Sequence, residues 1–88
     1  MEFNEQLNTY IELLQCTAKE LSDASGLSPS VISRYRTGER EPDVESDNLI
    51  KLAQGIATIA LSRQQPDLSY DAVYSALQNA FLEKNTFY

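Results

Sequence analysis

Phe3, Leu7, Tyr10, Ile11 and Leu14 are spaced three and four residues apart or adjacent, so they line one face of a helix. Thr17 is a good N-cap and stands three residues before Glu20, so "TAKE" reads as a capping box that opens a second helix. That helix turns Leu21 and Ala24 inward and stops near Gly26, a residue suited to the left-handed position after a helix end. Ser28 caps a third helix, and Pro29 takes its first position, where a missing N–H costs nothing. Val31, Ile32 and Tyr35 come next, and Gly38 closes it. After the polar connection "EREPDVESD", Ser46 or Asp47 caps a fourth helix. Its inner face is Leu49, Leu52, Ala53, Ile56 and either Ile59 or Ala60. Gly55 in that helix costs about 1 kcal/mol relative to Ala, which points to close approach by another helix. "SRQQPD" breaks the chain, and Leu68-Ser69 opens a fifth helix with Val73, Tyr74, Leu77 and Phe81 at helical spacing. No alternating run lies between hairpin turns, and no internal repeat is present. The expectation is an all-α five-helix bundle in a single domain over residues 1–88.

Helices two and three, joined across Ser25-Gly26-Leu27, form a helix-turn-helix. Leu21, Ser25, Leu27, Ile32 and Tyr35 supply the apolar or small residues that let the two helices cross closely. Ser22 is small where they should touch, and Gly26 supplies a left-handed turn that a Cβ would resist.

"TAKELSDASGLSPSVISRYRTGEREP", with "LIKLAQGIA" after it, resembles the Xre/Cro-repressor family of helix-turn-helix DNA-binding domains. The resemblance runs from Leu14 to Ala60; helices one and five match only in kind. Thr17, Leu21, Gly26, Leu27, Ser28, Ile32, Ser33, Tyr35, Gly38, Pro42 and Leu52-Ala53 fall at family positions. The resemblance implies a bundle of the phage-repressor type with the third helix in the major groove of double-stranded DNA. It makes Pro29, Ser30, Ser33 and Arg34 the reading positions. Helical spacing agrees independently: Ser30 and Arg34 are four apart on one face, with Ser33 beside them. Arg34 suits guanine O6 and N7, the serines are short donors and acceptors, and Pro29 offers apolar contact to a thymine methyl. Arg36, Thr37, the Gly38 amide and Arg40 at the helix exit are phosphate candidates. Lys19 is another, at a helix start whose amides favour an anion.

Two departures weaken the implied contacts. Ala18 stands where many family members place an amide side chain that touches phosphate and braces the recognition helix. Glu41, Asp43, Glu45 and Asp47 put four negative charges ahead of helix four, where the family approaches the DNA backbone. Each reading position also has a plainer role. Arg34 as a solvated charge, Arg36 and Arg40 paired with Glu39 and Glu41, and Ser33 bonded back to the preceding turn are the alternatives. Tyr35 reads first as core, and Cys16 as a small core residue rather than a redox sensor.

Composition limits the chemistry. With no histidine and one cysteine, the chain lacks a His-activated nucleophile, a His-containing metal site and a Cys-rich zinc site. Scattered glycines make no phosphate loop, so neither an enzyme nor a cofactor is expected. The polar, acidic start Met1-Glu2-Phe3-Asn4 is unlike a signal peptide, and a lone cysteine fits a reducing cytoplasm.

The formal net charge is −6, which sits awkwardly with a polyanionic partner. The motif itself is mildly positive, however, with Lys19, Arg34, Arg36 and Arg40 against Glu20, Asp23 and Glu39. The surplus acid lies in the first helix, the loop after the motif and the last helix. Physiological salt screens charges beyond about 8 Å, so the acidity lowers non-specific affinity without forbidding DNA binding. A transcriptional regulator of the repressor type is therefore expected, acting as a homodimer through helix five with Tyr70, Tyr74 and Phe81. The alternative is an acidic adaptor that binds protein, and Arg34 discriminates the two. Phe87 and Tyr88 call for burial: either they pack back on the domain, or the chain is the N-terminal domain of a longer protein.

Overall fold

The second to fifth helices start where a side chain accepts from a first-turn amide, and each helix's own apolar stripe decides which face it buries. The computed structural model describes residues 2–43 and 46–85, with side chains as far as Ala80. Its elements are α1 (Phe3–Leu14), α2 (Ala18–Ser25), α3 (Pro29–Thr37), α4 (Asp47–Ser62) and α5 (Tyr70–Asn85). No strand occurs among the described residues, so the expected all-α architecture holds. Phe87 and Tyr88 lie outside the described residues, as does the side chain of Phe81.

The local signals act as read. At the start of α2 the Glu20 N–H donates to Thr17 Oγ1 at 3.1 Å, and the Thr17 N–H donates to Glu20 Oε1 at 3.0 Å. Ser28 Oγ accepts from the Val31 N–H at the start of α3, with Pro29 in the first turn. Of the two candidates for α4, Ser46 is the cap, its Oγ accepting from the Leu49 N–H at 3.3 Å. Ser69 does the same for α5 through the Ala72 N–H. Gly26 ends α2 at φ +82°, a conformation a side chain resists. Ser25 belongs to α2, so the turn between the motif helices runs over residues 26–28.

The core is a single cluster fed by all five helices. Phe3, Leu7, Ile11 and Leu14 of α1, Leu21 of α2 and Ile32 and Tyr35 of α3 belong to it. Leu49, Leu52, Ile56, Ile59 and Ala60 of α4 and Val73 and Leu77 of α5 complete it. Both Ile59 and Ala60 are buried, so the α4 face takes in both alternatives. The α5 face is Val73, Leu77 and Ala80; Tyr74 is only half-buried at its flank. Ala24, expected inward, is half-buried, and Ser25 takes the buried position beside it.

Helix α2 lies along α4, and the contact is close because both partners are small. A Cβ built on Gly55 would come within 2.7 Å of Ser25 Cβ and 2.9 Å of Ser25 Cα and N. The expected close approach at Gly55 is thus the α2 backbone itself. Arg63 closes the far end: its Nε donates to the Leu14 carbonyl at 3.2 Å and its guanidinium to Glu20 Oε2 at 2.6 Å. One side chain therefore ties the end of α1 and the start of α2 to the end of α4. Nothing in the local sequence around Arg63 signals this role.

Candidate nucleic-acid interface

Helix α3 is held from behind. Ile32 is fully buried, and Tyr35 is buried with its ring edge-on to Phe3 at 6.0 Å. The Tyr35 hydroxyl accepts from Asn48 Nδ2 at 3.0 Å, which fastens α3 to the start of α4. Tyr35 is thus the core residue its spacing indicated. Across the turn, Ser22 Oγ donates to the Leu27 carbonyl and the Leu27 N–H donates to Ser25 Oγ. Leu27 is buried, so the turn between α2 and α3 is held by serine side chains bonded to its backbone as well as by apolar contact.

With its inner face fixed, α3 presents an outer one. Pro29, Ser30, Ser33, Arg34 and Thr37 are all exposed. Ser30, Ser33 and Arg34 make no side-chain hydrogen bond or ion pair among the described residues. The back-bond considered for Ser33 does not form, and the Arg34 guanidinium is unengaged.

The helix exit is more occupied. Thr37 Oγ1 donates to the Arg34 carbonyl at 3.1 Å and accepts from the Glu39 N–H at 3.4 Å. The Gly38 N–H donates to the Tyr35 carbonyl at 3.4 Å, with Gly38 at φ +81°. The Arg40 N–H reaches back to the Arg34 carbonyl at 3.2 Å, while the Arg40 side chain is exposed. The donors of Thr37 and Gly38 are therefore spent in ending the helix. Arg40 is not.

Arg36 is half-buried and has a partner that sequence reading missed. Its Nε donates to Asn8 Oδ1 at 2.9 Å, and Asn8 Nδ2 donates to the Arg36 carbonyl at 2.9 Å. The pairing with Glu39 that its sequence position suggested gives way to this bond to α1. A clue was present: asparagine is a poor residue for a helix interior unless its side chain has work there. Asn8 also answers the departure at Ala18, because the brace on the recognition helix comes from α1 instead of the first residue of α2. Where a longer side chain would stand, Ala18 leaves an open notch of about 400 Å³ lined by Asn8, Glu12, Ser33, Arg36 and Thr37.

Lys19 is exposed in the first turn of α2. The capping box uses the Glu20 amide, and Leu21 bonds the Thr17 carbonyl, so Ala18 and Lys19 carry the unspent amides of this helix start. The nearby Glu20 carboxylate is held by Arg63, whose hydrogen bond lowers its pKa below the ordinary glutamate value, helped by the Thr17 N–H. Burial, reinforced by the Glu20 charge, raises the Cys16 thiol, which is buried behind this corner and inert in character.

The described residues hold no cluster of His, Cys, Asp or Glu able to bind a metal, and no helix among them is long and apolar enough to cross a membrane. No curated protein and no solved structure matches the chain. A family profile described as helix-turn-helix matches residues 7–57, which runs from within α1 through most of α4. The chain therefore belongs to the helix-turn-helix family, the DNA-binding class to which its resemblance pointed and from which transcriptional regulators are typically built.

Proposed function

We propose that the protein is a sequence-specific transcriptional regulator of the repressor type, acting in the cytoplasm with α3 in the major groove of duplex DNA. One observation carries the reading: Ser30, Ser33 and Arg34 stand exposed and unengaged on a helix whose opposite face is locked into the core. Preorganised, unspent donors are what base readout needs. Arg34 pairs with guanine, Ser30 and Ser33 contact neighbouring base edges, and Pro29 packs on a thymine methyl. Lys19, Arg36 and Arg40 meet phosphates, while Thr37 and Gly38 lie against the sugar–phosphate backbone.

Two copies bind together, joined through α5. Tyr70 and Tyr74, with ring centroids 5.7 Å apart, stand on that helix, and Phe81 lies further along it. Leu61 is 72% exposed and shares an apolar groove with Leu68 and Tyr70, so the surface extends onto the end of α4. With few cations to neutralise phosphates, the protein leans on base contacts and on the pairing of half-sites.

The test is selection from a random duplex library at about 50 mM salt, run for the wild type and Arg34→Ala. The wild type should enrich a two-fold palindrome and the variant should not. If neither enriches any sequence, an acidic adaptor that binds protein becomes the better reading.

A further inference from the structure

Asn8 sits on α1, before the helix-turn-helix motif, yet both ends of its amide are committed to Arg36. One bond holds the Arg36 carbonyl in the last turn of α3; the other holds Nε of the same residue. A guanidinium carries five N–H donors in a rigid fork. With Nε engaged, the four on the terminal nitrogens remain, and they make no bond among the described residues. The fork is therefore held at its base and unbonded at its outer edge, and Arg36 is among the residues that line the notch beside Ala18. Glu12 lines the same notch, and no ion pair joins it to Arg36 among the described residues.

We infer that Asn8 is a positioning residue for DNA binding: it holds the outer edge of the Arg36 guanidinium toward the Ala18 notch, where a backbone phosphate of the duplex seats. The inference rests on the DNA-binding reading above. Its physical basis is preorganisation. An arginine already ordered in the free protein loses less freedom when it meets phosphate, and its fork suits a two-pronged contact. A strut that merely joined α1 to α3 would matter to stability and be indifferent to what Arg36 does next.

The experiment compares wild type, Asn8→Ala, Arg36→Gln and the double variant on the duplex selected by the wild type, across a salt series. Loss of one phosphate contact in Arg36→Gln should weaken binding about tenfold and reduce the salt slope by about 0.9. Asn8→Ala should weaken binding severalfold alone and add nothing in the Arg36→Gln background. Equal losses in both backgrounds, or wild-type affinity in Asn8→Ala, would overturn the inference while leaving DNA binding standing. If the wild type binds no duplex, both readings fall together. A measurement on the unaltered protein guards against poor folding of the variant. The Arg36 Nε–H resonance should be protected from exchange without DNA, and the terminal nitrogens should shift when the duplex is added. Exchange as fast as in free arginine would refute the tether.

Discussion

Gly55→Ala sets helix propensity against packing. In an exposed helix interior the change stabilises by about 1 kcal/mol. Here the new Cβ would stand 2.7 Å from Ser25 Cβ and 2.9 Å from Ser25 Cα and N. Two of those three atoms are backbone, so no rotamer change removes the clash. Regaining ordinary contact at about 3.6 Å requires α2 and α4 to part by roughly 0.9 Å along their shared face. Overpacking of this kind costs about 1–3 kcal/mol, and rigid backbone on the far side argues for the upper end. The net loss is about 1–2 kcal/mol after the propensity gain, which for a domain of this size lowers Tm by roughly 5–15 °C. Thermal and guanidinium unfolding monitored by circular dichroism read it directly. Ser25→Ala should not rescue the variant, because alanine keeps the Cβ. Gly26→Ala is the contrast. Nothing lies within 4 Å of its Cβ, so its cost comes from φ +82° alone, about 1–2 kcal/mol, and Gly26→Asn should recover part of it. A Gly55→Ala protein as stable as wild type, or more so, would refute the claim that the α2 and α4 backbones approach closely at this point.

The corner where α1, α2 and α4 meet yields two more expected outcomes. The Arg63 guanidinium lowers the Glu20 pKa, so the pair supports the fold above the ordinary glutamate range and that support is lost as pH falls through the lowered value. The Tm difference between wild type and Glu20→Gln should shrink as pH is taken from about 7 to about 3, and a pH-independent difference would count against the pair. Burial, then the Glu20 charge, raises the Cys16 pKa, so thiolate is scarce in the folded protein. Alkylation of Cys16 should be far slower in the native than in the denatured chain; equal rates would contradict its burial.

Much of the architecture was legible because it is written in neighbours along the chain. A capping box needs only Thr17 and Glu20, a helix stop needs only Gly26, and an apolar stripe needs only its own spacing. These interactions close within one or two turns, so the residue order determined them, and with them the helix-turn-helix and the outward row on α3. What the order left open was every bond whose partners lie far apart in sequence. Asn8 meets Arg36 across 28 residues, Arg63 reaches Leu14 across 49, and Gly55 lies against Ser25. No local pattern carries such pairings, because they depend on how α1, α2 and α4 pack around the shared core. The sequence by itself therefore determined which helix faces outward with donors to spare. Only the tertiary structure decided which of its arginines is tethered and which is free, because that choice was made by a side chain on another helix.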